Sequence, residues 1–144
     1  MLLYAYMHEY AYYQETEKID MRNLVKVFKV LSDESRLRVL NLLLERPCCV
    51  CEVMQALDIS QSKASRILSA LYDVGFLKLN KDGLWSLYSI DWDGMEVNLK
   101  SIIETTARSF EGNKMMAADQ ERLRKAERVG PVCVNKTSGT KAII

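Results

Sequence analysis

Three of the chain's four cysteines lie within four residues, at Cys48, Cys49 and Cys51. Thiolates are soft donors that suit thiophilic ions such as arsenite and antimonite, which normally bind three of them in a pyramid. Arg46 and Pro47 precede the cluster, at a point where a helix is expected to begin. A nearby cation and a helix amino terminus both lower the pKa of a thiol. The spacing therefore predicts a site at which reactive thiolates bind a soft ion.

A second group of residues has the chemistry of a nucleic-acid contact. Between Ser60 and Lys81 the chain carries four cations against the single acid Asp73, a local excess that the overall net charge of +1 conceals. Serine and glutamine bind base edges or phosphates, whereas lysine and arginine bind phosphates or guanine. The alternative is a solvated helix face, and the hairpin signal that follows favours DNA contact. The candidate DNA-binding residues are Gln61, Ser62, Lys63, Ser65, Arg66, Ser69 and Lys81.

The elements that must position these residues are visible as apolar periodicity and turn signals. Ser32 and Ser60 are the expected N-caps of two helices, and Asp82-Gly83 is a strong hairpin signal. The expected elements are helices over 24–31, 33–44, 50–57, 61–74 and 94–110, and strands over 76–80 and 84–90. This order is that of a winged helix-turn-helix, a mainly α fold with a β-hairpin wing. In such a module the 61–74 helix enters the major groove of DNA and the wing lies against the backbone or the minor groove.

A length of 144 residues is enough for one domain with its own core. We expect that domain over 19–110, a tyrosine-rich extension over 1–18 that contains the only histidine, His8, and a charged tail over 111–144. The extension either packs on the domain or reflects a misassigned start before Met21. Because no apolar run is long enough to span a membrane and no signal peptide opens the chain, we expect a cytoplasmic protein with no membrane partner.

Residues 24–92 resemble the ArsR/SmtB family of metal-responsive repressors. The resembling stretches are 27–40 (VFKVLSDESRLRVL), 49–53 (CVCEV) and 60–77 (SQSKASRILSALYDVGFL). The middle stretch is similar to the arsenite-sensing and the cadmium- and lead-sensing branches of the family. The resemblance implies a homodimer joined through the first and last helices of the domain. It also implies that the dimer binds a partly palindromic operator and releases it when metal binds.

The chain departs from the family pattern at the third ligand. Arsenite sensors of this type often place a third cysteine where this chain has Met54. Cys48 is the expected replacement, and Cys133 from the tail is the alternative. The helix over 94–110 contains no histidine, so the zinc-type site of the family is not expected. We therefore expect As(III) or Sb(III) as the inducer, Cd(II) or Pb(II) as the alternative, and no organic cofactor.

Helix geometry leads to a hypothesis for the switch. On an ideal helix Cys48 and Cys51 share a face, whereas Cys49 and Cys51 are about 200° apart around the axis. Three thiolates could then reach one ion only if the first turn unwinds. The hypothesis is that binding distorts this helix, shifts the recognition helix and weakens operator affinity, which is coupling by differential affinity.

Two other classes of function compete with the metal-responsive repressor. Closely spaced thiols could form a disulfide or polysulfide, which would make the chain a redox- or sulfur-responsive regulator. A thiol enzyme is the other class. The chain has no Gly-rich phosphate loop and no second histidine, and its Cys-x-Cys lies outside a thioredoxin-like βαβ setting. We therefore expect that the protein is not an enzyme.

Overall fold

A computed structural model describes residues 19–129 of the chain. The extension over 1–18, with His8, and the tail from residue 130, with Cys133, lie outside the described residues. Within them the chain forms six helices and one two-stranded antiparallel hairpin. The helices are α1 (Met21–Leu31), α2 (Glu34–Glu45), α3 (Val50–Leu57), α4 (Gln61–Asp73), α5 (Val97–Ser109) and α6 (Lys114–Lys125), and the strands are β1 (Leu77–Asp82) and β2 (Trp85–Ile90). None of the described helices is long and apolar enough to cross a membrane.

The helix boundaries follow from side-chain caps. The Ser60 hydroxyl accepts a hydrogen bond from the Lys63 N–H, so Ser60 caps α4 as predicted. The prediction for α2 was wrong by one residue. Asp33 is its N-cap and accepts from the Arg36 N–H at 3.0 Å, whereas the Ser32 hydroxyl donates to the carbonyl of Lys29 at 2.8 Å. Ser32 thus ends α1 and does not begin α2.

One apolar core packs the helices α2, α3 and α4 against the hairpin that forms the wing. Leu40 on α2, Leu68 on α4 and Phe76 before β1 are fully buried in it. Burial of such side chains stabilises the fold by about 1.5–3 kcal/mol each. The core also packs α3 against α4, the helix that carries the predicted DNA contacts.

The wing is a hairpin whose register runs from Leu77 opposite Ile90 to Asp82 opposite Trp85. Gly83 turns the chain with φ of +63°, a conformation that favours glycine. A short third segment pairs with the hairpin. The N–H of Cys48 donates to the Tyr88 carbonyl and the Tyr88 N–H donates to the Cys48 carbonyl, both at 2.9 Å. The backbone that carries the cysteines is thereby joined to the wing.

Residues 111–129, placed in the predicted charged tail, include the helix α6, which packs against α2 and α3. Met116 and Leu123 bury their side chains there. Asp119 is wholly buried and accepts two hydrogen bonds from Arg38, at 2.8 and 2.9 Å, and one from Arg122. A buried carboxylate is tolerated because these cations and their hydrogen bonds compensate its lost hydration. The packed structure therefore continues beyond the predicted boundary at residue 110.

Candidate thiol site and DNA-contacting surface

The sulfurs of Cys49 and Cys51 are in direct contact, with their Sγ atoms 2.8 Å apart. Both side chains are buried. The contact is possible because Cys49 is not helical. It is the N-cap of α3, with φ of −88° and ψ of 168°, so its side chain turns back toward the first turn. The premise that helix geometry keeps these two thiols apart was wrong, and their pairing requires no unwinding.

Cys48 lies on the other side of the same extended segment. Neighbouring side chains of an extended chain point in opposite directions. The Cys48 thiol accordingly enters the main core and donates to the carbonyl of Arg46 at 3.3 Å. Burial, with a smaller contribution from Glu52, raises the pKa of Cys48 to about 12 and keeps it protonated. The structure thus brings together Cys49 and Cys51 but not Cys48. Among residues 19–129 it forms no group of three side chains placed to hold a metal ion.

The electrostatic surroundings of Cys49 differ from those of Cys48. The pKa of Cys49 is lower than that of an ordinary thiol. The largest cause is the hydrogen bond with the neighbouring Cys51 thiol. Burial opposes this shift, and the backbone N–H of Glu52 at the start of α3 adds to it. A lowered pKa means more thiolate at neutral pH, and the thiolate is the form that attacks electrophiles and binds soft ions.

Glu52 connects the thiol segment to two arginines. Its carboxylate is almost fully buried and accepts from the Cys49 N–H at 3.0 Å, from Arg128 Nε at 3.1 Å and from Arg46. Burial opposes ionisation of Glu52, but these three donors outweigh it and hold the pKa of Glu52 below its usual range. Arg128 also reaches Asp82 at the tip of the wing, at 3.4 Å. Glu52 is therefore the centre of a network that spans α3, the wing and the C-terminal segment.

Sequence reasoning missed this network. The signal for Glu52 was present, because a carboxylate three residues after an N-cap forms a capping box. No local signal identified Arg128, which is 76 residues away along the chain.

Two residues of β2, Trp85 and Leu87, cover the thiol pair. The indole Nε1 of Trp85 is buried and has no hydrogen-bond partner among the described residues. The same strand, β2, contains Tyr88, whose backbone is hydrogen-bonded to the backbone of Cys48. The wing and the thiol site are thus packed against each other.

The predicted DNA-binding residues are accessible. Gln61, Ser62, Lys63, Arg66 and Ser69 are exposed along α4, Ser65 is half-buried, and Lys81 is exposed on the wing. Arg36, which sequence reasoning did not include, lines a shallow depression between α2 and α4 with Lys63, Arg66 and the acid Asp33. Its guanidinium donates to the Lys29 carbonyl at 3.2 Å. The surface that presents α4 therefore includes a third cation, Arg36, from α2, next to the acid Asp33.

Comparison with known proteins identifies the family. The family model described as "Bacterial regulatory protein, arsR family" matches residues 33–78. A cadmium resistance regulatory protein homolog, CadC, of Staphylococcus aureus is 32% identical over 104 residues, which are 69% of this chain and 83% of that protein. This chain belongs to the arsR family. The arsenical resistance operon repressor of Escherichia coli is 43% identical over 67 residues, 46% of this chain and 57% of that repressor.

Solved structures confirm the fold. HlyU from Vibrio cholerae N16961 superimposes with a TM-score of 0.54 and 26% identity, covering 65% of this chain and 98% of HlyU. The homodimeric winged helix-turn-helix domain of Mb0332 from Mycobacterium bovis matches with a TM-score of 0.51 and 23% identity, covering 65% of this chain and 91% of that domain. The predicted winged helix-turn-helix is confirmed. Family membership also confirms that the chain is a transcription regulator and not an enzyme.

Proposed function

We propose that this arsR-family chain is a repressor that binds operator DNA in the cytoplasm as a homodimer and releases it when As(III) or Sb(III) binds Cys49 and Cys51. The observation that carries the proposal is the contact between the two sulfurs, 2.8 Å apart beneath Trp85 and Leu87 of the wing. An ion bound at this point changes the packing of an element expected to touch DNA. Arsenical and cadmium resistance repressors among the relatives support the same class of inducer.

The chemistry of binding is ligand exchange on trivalent arsenic. In each step a cysteine sulfur attacks arsenous acid, As(OH)3, one As–S bond forms and one As–O bond breaks. The thiol proton leaves with the hydroxide as water, so arsenic stays trivalent and no oxidant or reductant is needed. Cys49 is the expected first nucleophile because its lowered pKa supplies the thiolate, and the adjacent Cys51 forms the second bond.

The packing of the thiol pair supports a direct route from inducer to DNA. Bonds from both sulfurs to one ion replace their present contact, so the residues around them must move. Trp85 and Leu87 cover the pair, and Tyr88 in the same strand is hydrogen-bonded to the Cys48 backbone. Movement at the pair therefore reaches the wing, and through the core it reaches α4. Release requires that the ion bind this altered arrangement more tightly than the DNA-bound one.

The DNA side of the proposal assigns α4 to the major groove and Lys81 to the backbone or minor groove. Exposed apolar residues support the homodimer. Met21, Val25 and Phe28 share one exposed face of α1, and Val97 is exposed at the start of α5. Contiguous exposed apolar surface marks an interaction site. A dimer through α1 and α5, the last long helix expected from sequence, buries these residues and presents two α4 helices to two half-sites.

The close sulfur contact also favours a second candidate function. A disulfide needs a sulfur–sulfur distance of about 2.05 Å, and the two sulfurs of this site are already at 2.8 Å. A peroxide could oxidise the pair, forming one S–S bond while its own O–O bond breaks and two waters carry away the thiol protons. One of the matched HlyU structures is of the reduced protein. A Cd(II) or Pb(II) sensor remains the alternative for the inducing metal, and the cadmium resistance regulatory proteins among the relatives support Cd(II).

Fluorescence anisotropy of a labelled duplex from the promoter of the chain's own gene tests these candidates. Arsenite, antimonite, Cd(II), Pb(II) and hydrogen peroxide are titrated separately into the protein–DNA complex. The proposal expects release by arsenite and antimonite at the lowest concentrations, and no such release from Cys49→Ser or Cys51→Ser. Release by peroxide but not by arsenite would establish the redox candidate instead.

A further inference from the structure

One carboxylate oxygen of Glu52 joins the thiol site to the C-terminal segment. Glu52 Oε1 accepts from the Cys49 N–H at 3.0 Å and from Arg128 Nε at 3.1 Å. A second nitrogen of the same guanidinium, Nη1 of Arg128, donates to Asp82 at the tip of the wing at 3.4 Å. Three hydrogen bonds in series therefore run from the backbone of Cys49 to the tip of the wing, and Arg128 makes two of them.

The chain that leads to Arg128 is bonded to α3. The Gln55 side chain donates to the Glu127 carbonyl at 2.8 Å and accepts from the Glu127 N–H at 3.1 Å. On α6, the Arg122 guanidinium donates to the carbonyl of Ala56 at 2.6 Å. Arg128 therefore extends from a backbone that is fixed against α3, and its guanidinium joins that helix to the wing.

The contact between Arg128 and Asp82 affects the position of the wing more than the stability of the fold. The Asp82 side chain is 68% exposed, and water and salt screen an ion pair of this kind. Its place on the wing is nevertheless critical for DNA binding. Lys81, the predicted contact of the wing with DNA, precedes Asp82, and Asp82 is paired with Trp85, which covers the thiol pair. A small change at Asp82 therefore reaches the part of the wing that is expected to touch DNA.

We infer that Arg128 is a positioning residue for DNA binding, which holds the tip of the wing to α3 and releases it when an ion binds the thiol pair. The release step rests on the proposed function. A bond from the Cys49 sulfur to an ion moves the residue whose N–H shares Glu52 Oε1 with Arg128. Arg128 then shifts with Glu52, and its contact with Asp82 weakens. The wing loses a fixed position that lowers the cost of binding DNA.

Operator anisotropy with Arg128→Ala in the full chain tests the inference, with Arg124→Ala as the matched control. Arg124 is an exposed arginine of α6 that pairs with Glu45 and Glu121, so its replacement removes the same charge. Without arsenite, Arg128→Ala should bind the operator about fivefold more weakly than the wild type, the size expected for one screened ion pair. With arsenite, Arg128→Ala and the wild type should bind alike, so the factor by which arsenite weakens binding should be about fivefold smaller in the variant. Equal operator affinities in Arg128→Ala and Arg124→Ala overturn the inference.

Two further measurements separate a positioning role from a purely structural one. By isothermal titration calorimetry, Arg128→Ala should bind arsenite at least as tightly as the wild type, because no contact with Asp82 has to be broken. Weaker arsenite binding would mean that Arg128 supports the thiol pair itself, which overturns the inference. Amide hydrogen exchange should become faster in the wing, over 77–90, and stay unchanged in α2 and α4. Faster exchange throughout the domain would overturn the inference as well.

The same experiments separate failure of this inference from failure of the proposed function. If arsenite weakens operator binding of Arg128→Ala and of the wild type by the same factor, the inference fails and the proposed function stands. If arsenite releases neither protein from the operator, the proposed function fails. The operator affinity and the wing exchange of Arg128→Ala without arsenite then decide whether Arg128 positions the wing.

Discussion

The amino end of α3 and the exposed face of α4 are adjacent parts of one turn motif, yet their surroundings are opposite. At α3 the functional groups are buried and engaged: Cys49 contacts Cys51, and Glu52 accepts from three donors. On α4 the polar side chains of Lys63 and Arg66 are exposed. A buried network can change the packing around it when a ligand enters, whereas an exposed face can bind DNA without rearranging. The difference suggests that changes at α3 alter response and stability, and that changes at α4 alter DNA affinity alone.

The largest expected effect is loss of induction in Cys49→Ser. Without this thiolate the pair cannot bond arsenic twice, so the arsenite concentration that releases DNA should rise more than 100-fold. Operator affinity should stay within about twofold, because serine preserves an N-cap residue. Anisotropy in the presence and absence of arsenite measures both quantities. A fall in operator affinity as large as the loss of arsenite response would show that the amino end of α3 and the exposed face of α4 do not act independently.

Arg66→Ala is the reciprocal change on α4. Loss of a phosphate or guanine contact should weaken operator binding by about 10- to 100-fold, corresponding to about 1–3 kcal/mol. Arsenite affinity by calorimetry should not change. Arg108→Ala is the control, because Arg108 is an exposed cation on α5 that bonds only Thr105 among the described residues. Equal losses of DNA affinity in the two variants would indicate general electrostatic attraction and not a contact from α4.

Glu52→Gln tests whether the α3 network also stabilises the fold. The folded-state pKa of Glu52 lies below its ordinary value of 4.5. Its ionised form therefore stabilises the fold above about pH 4.5. That contribution is lost as pH falls through the lower folded-state value. The variant should lose about 1–3 kcal/mol at pH 7 and converge with the wild type in acid, as measured by urea unfolding across pH.

Glu121→Gln is the matched control for that experiment. Glu121 is more than half exposed and pairs with Arg124 on α6 at 3.0 Å. Exposed pairs of this kind contribute little to stability, because water and salt screen them. An acid dependence of equal size in both variants would mean that burial of Glu52 is not the cause.

The smallest expected effect is in the pH dependence of arsenite association. An ordinary thiol loses nearly tenfold in thiolate for each pH unit below its pKa. An ordinary thiol with a pKa of about 8.5 loses about eightfold in thiolate between pH 8 and pH 7. Because the pKa of Cys49 is lowered, its rate should fall by less than that. Trp85 packs on the pair and reports binding by stopped-flow fluorescence, with Trp92→Phe removing the other tryptophan. A fall of about eightfold or more would mean that Cys49 is not the first nucleophile.

Local patterns in the sequence were enough to predict most of the fold. Apolar periodicity, the Ser60 cap and the Asp82-Gly83 turn predicted the order of elements from α1 to α5, because these signals act over a few residues. The helix α6 was missed because its outward face is rich in charge. Its buried side chains, Met116 and Leu123, are too few to stand out, and its buried acid Asp119 is acceptable only because Arg38 from α2 lies beside it.

The sequence by itself determined that thiol chemistry and a DNA-reading helix share one turn motif, since both depend on residue types at short spacing. Only the tertiary structure decided which thiols meet. Cys49 precedes the helix as its N-cap, and its side chain contacts Cys51. The Cys48 side chain points to the opposite side of the extended segment and enters the core. The tertiary structure also placed Arg128 against Glu52, 76 residues away along the chain. Such contacts join segments far apart in the chain, and they form only when burial brings those segments together.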